Sequence, residues 1–246
     1  MTDAYRFDES STEQAIAYAK IYAGENYSPA METVLKVAFS EKRNLPTFRL
    51  KSSDTILLSG YMKKWVGAYL AGYNNRPSVR TGNCSGTHPD PMAKTILRAR
   101  IPGLEDNLAD KIVAGHSLLM TIENNIGELL EEYLSVKLSP LGWYCCWGST
   151  IDAVDFCKAN GSLLQIKTSD NSENSSSSRV RQGTPLGKWF RRFSRRPGVY
   201  NWESLNRMLG QPGYISEPDF RSFAEKTIAA NPACIYIAAT HLLNRP

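Results

Sequence analysis

An Asn-Gly pair set between two apolar runs constrains this chain more than any other feature. Asn160 and Gly161 separate residues 151–158 from residues 163–168. A tight two-residue turn requires positive φ at both central positions, which Asn and Gly accept most readily. The stretch therefore reads as a β-hairpin, with side chains alternating between two faces along each strand. Residues 143–148, short, aromatic and thiol-rich, suit a further buried strand, and the apolar run 234–239 suits a central one. Before them the period is that of helices. Segments 13–23, 29–38, 56–69, 104–114 and 117–138 carry apolar residues on one face, and a Gly/Asn/Ser/Thr/Pro loop covers 73–91. No internal repeat and no linker between two composition regimes interrupts the chain. The expectation is one α/β domain over 1–246: a mainly helical part, 1–115, followed by a core, 116–246, with a mixed central sheet flanked by helices.

Composition excludes more than it assigns. With 42% hydrophobic and 22% charged residues and a mean hydropathy of −0.35, neither disorder nor a membrane protein is expected. No run reaches the ~18 apolar residues of a span, and the first ten residues lack the layout of a signal peptide, so a cytoplasmic protein is expected. The five cysteines include no Cys-x-x-Cys pair, and the three histidines stand far from them. Buried, reduced thiols are expected rather than zinc ligands or disulfides. Net charge is only +5, but its distribution is uneven. No acid occurs between Asn174 and Trp202, while Arg179, Arg181, Lys188, Arg191, Arg192, Arg195 and Arg196 all do. Such a block concentrates positive potential locally, although a plain solvated face would look the same.

The hairpin gathers residues with a common chemistry. One acid of the first strand, Asp152 or Asp155, should lie near Gln165 and Lys167, which share a face of the second. A carboxylate and an amide oxygen suit a hard divalent cation, which polarises a phosphate and acidifies water. A lysine beside them positions the nucleophile and offsets negative charge in the transition state. A two-residue turn would pair Phe156 with Gln165 and bring Asp152 to that face. An odd loop or a bulge would bring Asp155 instead.

In order and spacing, Gly127-Glu-Leu-Leu-Glu131, Gly142-Trp143, Asp152/Asp155 and Gln165-Ile-Lys167 resemble the PD-(D/E)xK nuclease superfamily. Gln165 departs from the usual Asp or Glu, as in Mrr-like members, and this gives more weight to a helix carboxylate. Residues 117–134 and 165–190 further resemble restriction endonucleases of the SinI type, a likeness covering roughly residues 114–202. The resemblance implies a homodimer that cuts double-stranded DNA at GGWCC sites with Mg2+, Mn2+ substituting, in a host whose cognate methyltransferase is not a physical partner. It implies Asp155, Gln165 and Glu131 as metal ligands and Lys167 as the catalytic lysine; the run 154–157 resembles the family's acid strand and favours Asp155 over Asp152. The segment just after the Gln-Ile-Lys strand is expected on DNA: Asn171, Asn174, Ser175 and Ser176 can bond phosphates or base edges, Arg179 and Arg181 can grip guanine, and Lys188, Arg191, Arg192, Arg195 and Arg196 suit phosphates.

Each residue has a plainer alternative. Lys167 can be an edge lysine reaching water, and Glu131 a surface glutamate, since it points away from the main stripe Ile122, Ile126, Leu129, Leu130 and Tyr133. The Ser/Asn tract can be a spacer, Glu173 a displaced ligand, and Trp189 and Phe190 simple core. His88-Pro89-Asp90 is a decoy, with no hairpin behind it. A junction- or methyl-directed nuclease and a non-catalytic DNA-binding protein remain the alternatives to restriction.

Overall fold

A computed structural model describes residues 7, 9–48, 57–83, 89–171 and 186–237. Helices α1 (Thr12–Ala23), α2 (Pro29–Ser40), α3 (Leu58–Asn74), α4 (Pro91–Arg100) and α5 (Asp106–Leu138) precede the strands. Strands β1 (Trp143–Cys145), β2 (Phe156–Lys158), β3 (Leu163–Ser169) and β4 (Leu186–Arg192) then form one sheet in the order β1-β2-β3-β4. Helices α6 (Trp202–Leu209) and α7 (Glu217–Ala230) follow. The first two strand pairs are antiparallel and β3–β4 is parallel, so the sheet is mixed, as expected.

Local chemistry explains the helix starts. Ser28 accepts the N–H of Met31 at 3.2 Å ahead of Pro29, and Asp90 accepts that of Met92 at 2.9 Å ahead of Pro91. In each case a side-chain oxygen takes up an orphan donor and proline occupies the first turn, where its missing N–H costs nothing. Helix α5 runs unbroken through residues expected to separate two helices. An interior glycine such as Gly115 costs only ~1 kcal/mol relative to alanine and does not end a 33-residue helix.

The core lies where α1, α2, α3 and the second half of α5 meet the sheet. Phe39, Tyr61, Trp65, Tyr133 and Phe156 are all buried there. Trp65 Nε1 donates to the Thr150 carbonyl at 2.9 Å, and α3 crosses the β1–β2 connection at a glycine pair. A Cβ on Gly72 would come within 2.3 Å of the Gly148 backbone nitrogen, so both positions must lack a side chain for the helix to approach. That crossing sets the path of the chain into β2.

Several strand expectations change. The run 151–158 pairs only from Phe156 onward: Asp152 gives its N–H to the Asn44 carbonyl at 2.9 Å, and Ala153 adopts φ 55°. The first strand stops at Cys145 because residues 147–149 form a 3₁₀ turn. The central strand expected over 234–239 is absent through Ile237, and residues 238 and 239 lie outside the described region. There the backbone turns at Pro232–Cys234, and the Ala233 carbonyl accepts the N–H of Gly82 at 2.8 Å. The fourth strand falls instead in the basic segment, where Trp189 is buried while Lys188 and Arg192 are exposed.

Candidate active site

The hairpin loop settles which acid joins the glutamine and lysine. Phe156 pairs with Leu164 and Cys157 with Leu163. Lys158 N–H donates to the Ser162 carbonyl and Gly161 N–H to the Lys158 carbonyl, both at 2.9 Å. Residues 159–161 thus form a three-residue loop, with Gly161 at φ 84° supplying the left-handed closing position. Counted along this register, position 155 lies opposite Gln165. Asp155 leaves the ladder there: its N–H donates to the Leu164 carbonyl at 3.1 Å, and its Oδ2 accepts the N–H of Ile166 at 2.7 Å. The carboxylate is therefore pinned to the backbone between Gln165 and Lys167. Asp152 remains in the preceding loop, ahead of the strand pairing, with its N–H on the Asn44 carbonyl.

Glu131 enters from α5. Gly127, one turn earlier, faces β3, where an added Cβ would meet the Thr168 methyl at 3.7 Å. Leu129, Leu130, Tyr133 and Leu134 are buried around it, so the helix is packed on two sides and Glu131 is partly buried between them. Its Oε1 accepts from the Cys145 thiol at 3.3 Å.

The electrostatics tie these groups together. Glu131 is pushed up to about 7 by burial and then by the negative charge of Asp155, with the Cys145 thiol acting in the opposite sense. Asp155 is pushed up to about 6 by burial, while the Ile166 N–H and the Lys167 ammonium draw it down. Two desolvated carboxylates repelling each other beside a buried amide, that of Gln165, form an all-oxygen donor set suited to a hard divalent cation. Among the described residues no three His, Cys, Asp or Glu side chains gather as a metal cluster, so further ligands would have to be amide or backbone oxygens, water or substrate. The donor set fits such an ion.

Strand β4 extends this face with positive charge. Parallel register places Lys188 beside Gln165, Phe190 beside Lys167 and Arg192 beside Ser169, and residues paired across a ladder project to the same side. Lys188, Arg192, Arg195 and Arg196 are exposed, as is Asn171. Arg191 corrects the expectation of a DNA contact, because alternation turns it inward. It is buried, and its Nη1 donates to Glu217 Oε1 and Oε2 at 2.8 and 2.9 Å. Glu217 also accepts the indole N–H of Trp202 at 2.9 Å. Trp189 is core, as its plainer alternative held. Asn174, Ser175, Ser176, Arg179 and Arg181 lie outside the described residues.

Two features escaped sequence reasoning. One is the thiol contact to Glu131, signalled only by the place of Cys145 in the strand after Gly142. The other is a set of contacts on α5: Glu132 accepts from the Ser78 N–H at 3.0 Å and from its hydroxyl, and Arg80 pairs with Glu128. No periodicity marks these.

Over 144 residues the chain is 42% identical to the type II restriction enzyme SinI of Salmonella infantis and, over the same length, 40% identical to the type II restriction enzyme Eco47I of Escherichia coli. Each match covers 56% of this chain and 61% of the relative, so the chain accounts for only about three fifths of the length of these curated relatives. Residues 57–230 match the family described as SinI restriction endonuclease. Because that match takes in well over half of the chain, hairpin, Glu131 and β4 included, the protein belongs to the SinI restriction endonuclease family.

Proposed function

We propose that the protein is a type II restriction endonuclease with a PD-(D/E)xK-type core, hydrolysing phosphodiester bonds at a specific sequence in double-stranded DNA. The observation that carries this is the bond from Ile166 N–H to Asp155 Oδ2, which sets an acid between Gln165 and Lys167 within electrostatic range of Glu131. Asp155, Glu131 and the Gln165 amide oxygen would hold a divalent cation, Mg2+ with Mn2+ as substitute. Such an ion supplies Lewis acidity toward the phosphate and toward a water. Lys167 orients the attacking water and offsets charge on the phosphate. Lys188, Arg192, Arg195 and Arg196, with Asn171, grip the DNA backbone, while the 172–185 segment, with its arginines, is the candidate for reading base edges. A GGWCC-like sequence is the first site to test.

Cutting both strands of a two-fold site calls for two copies of the chain. Helix α5 supports a homodimer. Leu108, Ile112, Gly115, Leu119, Ile122, Ile126, Leu129 and Tyr133 recur at alternating spacings of four and three, the repeat of a helix-packing seam. Leu129 and Tyr133 are buried, whereas Leu108, Ile112, Leu119 and Ile122 are 37–53% exposed, and a Cβ on Gly115 would meet nothing within 4 Å. The seam that closes the core thus runs on beyond it, open to a second copy.

A digest of unmethylated plasmid with Mg2+, followed by sequencing of the fragment ends, tests the activity. Discrete fragments with a common end sequence are expected, and Lys167→Ala should bind DNA but not cut it. Cutting confined to junctions or methylated DNA would replace restriction by a structure- or methyl-directed nuclease. Normal cutting by Lys167→Ala would remove this site from the reaction.

A further inference from the structure

The chemistry proposed above makes no use of the Cys145 thiol, yet that thiol reaches Glu131 Oε1 at 3.3 Å. Cys145 ends β1 and pairs with Phe156, the neighbour of Asp155. The sheet thus delivers a buried S–H to the place where the two acids meet. The next residue reinforces the placement, because Cys146 N–H donates to the Asp155 carbonyl at 2.8 Å. The end of β1 and the residue after it therefore touch both acids, one through a side chain and the other through the backbone.

A carboxylate has two oxygens, and a donor on one fixes its rotation while leaving the other available. The strength of the donor matters. An ammonium or guanidinium would form a charge-assisted bond that competes with a cation for the same charge. A thiol is a weak donor, and its bulk fills a dry site at little desolvation cost. It can orient the carboxylate without neutralising it.

We propose that Cys145 is a positioning residue for metal binding, its thiol holding Oε1 of Glu131 so that Oε2 is the oxygen offered to the cation. This rests on Glu131 being a ligand, so both ideas are tested together without recourse to cleavage. A cation that binds only the folded protein raises its melting temperature with concentration. Melting is followed in chelator and then across a Mg2+ titration, in the absence of DNA, for wild type, C145A, C145S and E131Q.

Wild type should show a Mg2+-dependent rise, and E131Q should lose it. C145A should need about 3- to 10-fold more Mg2+ for the half-maximal rise, the worth of one net hydrogen bond. C145S, which keeps a donor, should return to within about twofold of wild type, a rescue that a purely space-filling cysteine would not give. If E131Q loses the rise while C145A keeps the wild-type midpoint, the thiol does not position the ligand and Glu131 stands as one. If wild type itself shows no rise, the metal assignment fails and this role falls with it. Should C145A prove unfolded in chelator, C145V fills the volume without a donor and is read in the same way.

Discussion

The carboxylate of Asp155 accepts the backbone N–H of Ile166 at 2.7 Å, which fastens this acid between Gln165 and Lys167 of β3. The bond replaces a rung of the ladder, so Asp155 serves the backbone and the site together. Substitutions separate the two roles. Asp155→Asn retains an acceptor for Ile166 and should fold, yet lose cleavage through loss of a charged ligand. Asp155→Ala leaves a part-buried N–H without this partner and should be less stable than Asp155→Asn by ~1 kcal/mol. Urea unfolding of the two variants measures the difference; equal stabilities would mean that the bond contributes nothing.

The pH dependence of stability should carry the mark of the paired acids. Glu131 and Asp155 are raised to about 7 and about 6, so in chelator the folded protein holds protons more tightly than the unfolded chain. Their contribution is then most favourable below the ordinary carboxylate range and is lost as pH rises through about 6 to 7. Wild type should lose stability across that interval more steeply than Glu131→Gln, which has one such group fewer. Parallel curves from denaturant titrations in chelator would show that Glu131 is not so perturbed.

Neighbouring basic residues of β4 should behave in opposite ways. Replacing exposed Lys188 with alanine should lower the salt slope of DNA binding by about one unit, with little change in stability. Arg191→Ala should leave that slope alone but take the bidentate partner from buried Glu217, which keeps only the Trp202 indole N–H and the Arg221 guanidinium, costing about 1–3 kcal/mol. Binding isotherms at several salt concentrations, paired with urea melts, distinguish the two. An altered slope with unchanged stability for Arg191→Ala would return that residue to the DNA surface.

The exposed half of the α5 seam should be the dimer contact. Wild type should then sediment as a dimer and a double Ile112→Glu, Leu119→Glu variant as a folded monomer. A variant that remains dimeric would place the contact elsewhere.

Much of the architecture was legible because periodicity is local. The hairpin, the helical first half and the Gln165-Ile-Lys167 strand follow from alternation and from the turn residues Asn160 and Gly161, whose backbone preferences act over a few bonds. Glu131 stood out only by its spacing from Gly127. The basic segment reads as surface because Lys188 and Arg192 flank the buried Trp189 and Arg191, and β4 forms only when β3 supplies parallel partners.

Amino-acid order alone determined that an acid, a glutamine and a lysine would meet across a tight turn, since neighbouring strands cannot avoid that proximity. Which aspartate arrives there was decided by one extra loop residue, for a shift of one position reverses every side chain of a strand. Tertiary packing alone drew Glu131 and the Cys145 thiol to that aspartate and turned Arg191 away from solvent to Glu217, because contacts between distant segments depend on how whole elements dock.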